Sequence, residues 1–285
     1  MSEYEKRGYL LENFRLFHLR SEQGEKVDYH YHEFCKLLLL VSGRGSYVVD
    51  GQRYQLQPGD AVLIGSRSVH RPELEPGEPY ERIIIYIDPE FLTKMSSADC
   101  DLLEVFSGNY GHVLRFRESG YRKIFALATA LEKELADDRF GREILSTTVL
   151  LRLLVEMGRA FRQTDNKPQP LVPQNPRVLE LMKYMDAHLA EDLDVDALAE
   201  QFYVSKYHMM RQFRRETGFT VHAYLLQRRL LHAKKLMEQG LRATEACYRS
   251  GFRSYSSFTR SYGKHFGTTP TGRMDTARER EESYE

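Results

Sequence analysis

Two basic segments near the C-terminus and a group of histidines near the N-terminus carry the residue types that could do chemistry. The basic segments run Ser205 to Gly218 and Ser254 to Gly267 and align at a constant offset of 49 positions. Ser205 pairs with Ser254, Met209 with Phe258, Arg211 with Arg260, Phe213 with Tyr262 and Gly218 with Gly267. A serine at the start, a glycine at the end and arginine between them describe two capped, basic helices suited to reading DNA. His30 and His32 alternate along an extended run and so share one face, which His70 can join from a neighbouring strand. With Lys36, these three form either a polar ligand pocket or a set of hydrogen-bonded wall residues.

The elements that must position them follow from local patterns. From about Leu10 to Asp88 the chain reads as strands and turns. The run Lys36 to Val41, Ser46 to Val49, Arg53 to Leu56, Ala61 to Ile64 and Arg82 to Ile87 are strands. Asp50-Gly51 is a hairpin turn, and short strands at this spacing predict a small β-barrel or sandwich. From about Gly120 the period changes to that of a helix. Ile124, Leu127, Leu131 and Leu135 form one stripe, and Leu150, Leu154, Met157 and Phe161 a second, which predicts a helical hairpin. Residues 166–176 hold four prolines and read as an extended linker. Helices are expected from Arg177 to about Arg273, and the charged tail 276–285 as disordered. The fold class is therefore α+β in two domains, residues 1–165 and 177–275.

Composition narrows the function. The chain has 285 residues, 41 Lys and Arg against 41 Asp and Glu, and 41% hydrophobic residues. The charge is unevenly spread: Leu193 to Asp275 holds 14 Lys and Arg against 7 Asp and Glu. A basic half joined to an acidic one points to a nucleic-acid module attached to something that does not touch nucleic acid. Three cysteines, Cys35, Cys100 and Cys247, fit neither a zinc nor a disulfide pattern. No signal-peptide segment follows the charged N-terminus, and no run is long enough to span a bilayer, so a cytoplasmic protein without membrane contact is expected. Nucleophile-elbow, phosphate-loop and dinucleotide motifs are absent.

In the basic half, each repeated segment follows a shorter helix, Asp194 to Gln201 and Ala243 to Arg249, with one extra residue in the second turn near Gly251-Phe252. Between the copies, Val221 to Gln239 reads as one helix about 28 Å long, close to the roughly 34 Å between successive major grooves on one DNA face. The pattern Ser205…Arg211-x-Phe213…Gly218, Tyr224-Leu225…Arg229-Leu230, and Gly251-Phe252…Phe258-x-Arg260…Lys264-x-Phe266-Gly267…Pro270 resembles the signature of the AraC/XylS family of bacterial transcription regulators. Gly263, Ala246 and Tyr262 depart from it, and Gly263 is expected to weaken the second helix by up to about 1 kcal/mol. The resemblance implies that Tyr207, Met210 and Arg211 in the first helix, and Tyr255, Ser256 and Arg260 in the second, face base edges. Ser205 caps the first helix, while Lys206, Arg214, Arg215 and Lys264 suit phosphate contacts. Double-stranded DNA is the expected partner, with RNA polymerase a further candidate.

In the other half, Gly24-x5-His30-x-His32-x3-Lys36-x6-Gly43 and Gly59-Asp60-x3-Ile64…His70 resemble the two motifs of the cupin barrel. In metal-binding cupins three histidines and a carboxylate hold the ion. Here Lys36 takes the carboxylate's place, and an ammonium cannot ligate a cation and repels it. No metal and no cofactor are therefore expected. The resemblance implies a sensor that binds a small-molecule effector through His30, His32, Lys36 and His70. A sugar is one candidate, given the many tyrosines. The expected function is a sequence-specific, effector-responsive DNA-binding regulator rather than an enzyme, paired as a homodimer through the helix Gly141 to Arg162. A constitutive regulator whose barrel only dimerises, and a metal-dependent cupin enzyme fused to a DNA-binding module, are the rivals.

Overall fold

The computed structural model of the chain describes residues 10, 12–22, 27–75, 79–109, 111–163, 168, 170–171 and 175–271. Most of the N-terminal arm and of the proline-rich segment, with Gly24, Arg273 and the tail, lie outside these residues. The chain divides into two compact units, Met1–Gln174 and Asn175–Glu285.

In the first unit the strands are β1 (Phe14–Ser21), β2 (Cys35–Ser42), β3 (Gly45–Val49), β4 (Gln52–Leu56), β5 (Asp60–Ile64), β6 (His70–Leu74), β7 (Tyr80–Ile87) and β8 (Val113–Arg115). They form a five-stranded sheet in the order β1-β7-β2-β5-β8 and a three-stranded sheet in the order β4-β3-β6. The alternation of side chains sorts each central strand between two cores. Leu38, Leu40, Ile84 and Tyr86 face the small sheet, where they pack with Tyr47 and Tyr54. Leu37, Leu39, Ile83 and Ile85 face a layer of helices. Both faces of β2 are thus covered, which explains its near-continuous apolar run.

The covering helices are α1 (Pro89–Met95), α2 (Glu118–Leu135) and α3 (Arg142–Phe161). The hairpin α2–α3 buries the expected stripes, with Ile124 and Leu131 on one helix and Leu150, Leu154, Met157 and Phe161 on the other. Asp50 and Gly51 take φ of +46° and +81° and join β3 to β4 in a two-residue turn, as the Asp-Gly pair predicts. Asp60 is buried and holds Arg115 through two bonds of 2.9 and 2.8 Å. It ties the edge strand β8 beneath the turn that begins β5.

The second unit is helical: α4 (Pro176–Ala187), α5 (Val195–Gln201), α6 (Lys206–Thr217), α7 (Val221–Glu238), α8 (Ala243–Arg249) and α9 (Tyr255–Phe266). Helix α4 starts at Pro176, inside the expected linker, because Asn175 caps it and proline is tolerated in the first turn. The Asp186 carboxylate receives Nε and Nη2 of the buried Arg228, at 2.6 and 2.5 Å, and so joins α4 to α7. Arg229 donates to the carbonyls of Leu189 and Glu191, at 2.9 and 2.6 Å, fastening the α4–α5 loop to the same helix.

Candidate functional site

The two helix-turn-helix elements are α5–α6 and α8–α9. Ser205 Oγ accepts from the His208 amide at 3.3 Å, and Ser254 Oγ from the Ser257 amide at 3.4 Å. Gly218 and Gly267 end their helices at φ of +76° and +73°. On α6, Met209, Phe213 and Thr217 are buried. Tyr207, Arg211 and Arg214 recur on the opposite face and are exposed, with Met210 half-buried beside them. On α9, Phe258, Tyr262 and Gly263 are buried, while Ser256, Arg260 and Lys264 share the exposed face. Arg211, Arg214, Arg260 and Lys264 make no ion pair among the described residues. All four are exposed to water.

Three of the expected contact residues have partners within the chain. Tyr255 is half-buried and packs on Phe258, its ring centroid 5.9 Å away. Lys206 pairs with Asp196 at 2.8 Å, and Arg215 with Glu216 at 3.3 Å. Gly263 lies on the buried face of α9. Pattern reading also misses Tyr203, which is 96% exposed and adopts φ of +53° in the turn of the first element. Gly251, 48 positions later, holds the equivalent place at φ of +82°.

In the first unit, a cavity of about 250 Å³ opens between the two sheets. His30 and Lys36 line it, together with Arg20, Arg82, Tyr47 and Tyr80. His32 and His70 are buried but are not part of the lining. Lys36 is only 5% exposed and donates to the Tyr47 hydroxyl at 3.1 Å. The imidazoles form a cluster, with His70 at 4.3 Å from His30 and 4.7 Å from His32 between ring centroids. Nδ1 of His30, His32 and His70 lies 2.9, 2.7 and 2.9 Å from the carbonyls of Asp28, Phe34 and Ser68. A carbonyl only accepts, so each Nδ1 carries a proton, and in the neutral rings of His32 and His70 Nε2 is left as the acceptor.

Burial first, and then the Lys36 ammonium, hold His32 well below its ordinary pKa. For His70 the order is burial, His32 and then Lys36. Among the described residues no group of three His, Cys, Asp or Glu is placed to hold a metal ion.

The helix expected to pair two chains is buried along one part and open along another. Leu150 and Leu154 are fully buried within their own chain, so they cannot form the contact between chains. The apolar surface left open lies at the start of α3, where Ile144 is 71% exposed beside Leu145 and Phe140.

A sandwich enclosing a charged cavity and a basic unit with two helix-turn-helix elements define a DNA-binding protein that carries a small-molecule domain. Residues 16–154 match the AraC-like ligand binding domain, and residues 198–274 a helix-turn-helix domain. The chain belongs to the AraC family of DNA-binding transcription regulators. An uncharacterized HTH-type transcriptional regulator of Bacillus subtilis, YbfI, is 25% identical over 235 residues, 81% of either chain. The HTH-type transcriptional activator RhaS of Escherichia coli is 23% identical over 242 residues, 85% of either chain. Among solved structures, the DNA-binding domain of AdpA in complex with a target DNA is 30% identical and covers 34% of this chain and 88% of that one, with a TM-score of 0.33.

Proposed function

We propose that α6 and α9 read a bipartite DNA site while the cavity between the sheets holds the effector that controls it. The observation that carries this reading is the shared outward face of the two repeated helices. Tyr207, Arg211 and Arg214 stand on one, and Ser256, Arg260 and Lys264 on the other. Arg211 and Arg260 are the base readers, since arginine bonds bidentately to guanine and tyrosine packs on a thymine methyl. Arg214 and Lys264 anchor phosphates, and Lys206 and Arg215 join them once their carboxylates are exchanged. Effector control follows if the ligand binds two arrangements of the regulator with different affinity. The chain acts by binding alone, as a cytoplasmic homodimer that meets through Phe140, Ile144 and Leu145 and touches RNA polymerase at the promoter.

The test is selection of a DNA site from a random pool, followed by Arg211→Ala and Arg260→Ala on the selected and on random DNA. Each variant is expected to lose about 1–3 kcal/mol on the selected site and to relax the sequence at one position. Equal losses on both DNAs would make these arginines phosphate contacts. No enriched sequence at all would remove the base-reading assignment.

A further inference from the structure

The walls of the inter-sheet cavity carry a one-sided charge. Its charged lining residues are Arg20, Lys36 and Arg82, and no Asp or Glu lines it among the described residues. Depth grades them. Lys36 is buried, Arg82 is half-buried, and Arg20 is exposed and lies 3.7 Å from Glu22. The Arg82 guanidinium stacks 4.6 Å from the Tyr80 ring centroid, and its Nη1 donates to Ser21 Oγ at 2.7 Å and to the Tyr80 carbonyl at 3.2 Å. Both bonds use the same nitrogen. They orient the group and leave its Nε–Nη2 edge available for a two-point contact. The rest of the wall is largely aliphatic, with Leu19, Leu38, Leu74 and Ile84.

We infer that the effector is a small amphipathic organic acid, its carboxylate held by Lys36 and Arg82 and its short apolar body packed on the aliphatic wall. The inference rests on the reading of the sandwich as an effector site. A wall whose charged groups are all cationic favours an anion, and a carboxylate supplies one with the geometry the Arg82 fork prefers. A neutral sugar could bond the polar groups of the wall, but it supplies no charge to the cations and would set hydroxyls against Leu19, Leu38, Leu74 and Ile84. Inorganic phosphate would meet the cations but leave the aliphatic wall unfilled. The cavity of about 250 Å³ holds roughly eight water-sized groups at about 30 Å³ each, which suits a six-carbon acid.

The test is calorimetric titration of the full-length chain with hexanoate, hexan-1-ol, glucose and inorganic phosphate. Hexanoate is expected to bind at least about tenfold more tightly than hexan-1-ol, the lower end for a hydrogen bond to a charged group. Lys36→Met should erase that margin and leave hexan-1-ol unchanged, and Arg82→Gln should reduce it. Circular dichroism checks both variants for folding, and the half-buried Arg82 carries the test if Lys36→Met does not fold. Equal affinity for hexanoate and hexan-1-ol, tighter binding of glucose or phosphate, or no binding by any probe overturns the inference. Glucose binding would sink the acid and leave the effector site standing, while site selection on DNA, run without ligand, judges the regulator reading separately.

Discussion

Replacing Gly251 by alanine should loosen the second helix-turn-helix element far more than the same change at Gly240. Both glycines lie in the helical unit with φ in the left-handed region, +82° and +95°. A Cβ at Gly240 meets nothing within 4 Å, so its cost is conformational only, about 1–2 kcal/mol. A Cβ at Gly251 would stand 2.1 Å from the Leu189 carbonyl oxygen and 2.8 Å from Arg229 Nε. That oxygen is backbone and already accepts from Arg229, so neither atom can move without breaking the bond between them. Overpacking of this kind adds about 1–3 kcal/mol, for a total of roughly 2–5 kcal/mol. Hydrogen exchange read by mass spectrometry on the full-length chain gives the opening free energy of peptides from α8 and α9 directly. A gap of about 1–3 kcal/mol between the two variants is expected. Equal opening free energies would refute the reasoning, because the α4–α5 loop would then be yielding freely and not braced against the turn.

Three further outcomes follow from the geometry. Tyr203→Gly should stabilise the helical unit by about 1 kcal/mol in thermal unfolding, since it relieves left-handed strain and removes a side chain that packs on little; a lower melting temperature would mean that the tyrosine makes contacts in solution. The depressed pKa values of His32 and His70 make the unfolded chain bind more protons below about 6.5. Stability should therefore be full above that pH and fall below it by up to about 1.4 kcal/mol per pH unit for each histidine. Urea titrations of the wild type and of His32→Gln/His70→Gln at about pH 7 and about pH 5.5 read this, and the same loss in both would assign it to other groups. Ile144→Asp with Leu145→Asp should convert a dimer to a folded monomer in analytical ultracentrifugation, while Leu150→Asp with Leu154→Asp should unfold the first unit by burying carboxylates in apolar surroundings; an intact dimer in the first variant moves the interface elsewhere.

The helical unit is legible residue by residue because its signals are local. The serine caps, the terminal glycines and the spacing of Met209, Phe213, Phe258 and Tyr262 need no distant partner to be read. The β3–β4 hairpin is legible for the same reason, through Asp50-Gly51. Strand β6 hides behind Pro72, which a central strand would exclude but an edge strand accepts, and β6 is an edge of the small sheet. Arg82 escapes pattern reading because what places it at the cavity is the antiparallel pairing of β7 with β1 and with β2, which sets it opposite Leu19 and Leu40. Arg228 looks like one more surface cation of a basic helix until Asp186, 42 residues earlier, is seen to bury it.

The strands β2 and β7 separate two kinds of change open to this protein over time. Lys36, Leu38, Arg82 and Ile84 border the cavity, and their immediate neighbours Leu37, Leu39, Ile83 and Ile85 hold the helical layer. Each set lies on its own side of one sheet. Descendants of this chain can therefore drift in what they sense, one cavity residue at a time, while the layer beneath the helices stays as it was. The sheet keeps the cost of a new ligand preference from falling on the scaffold.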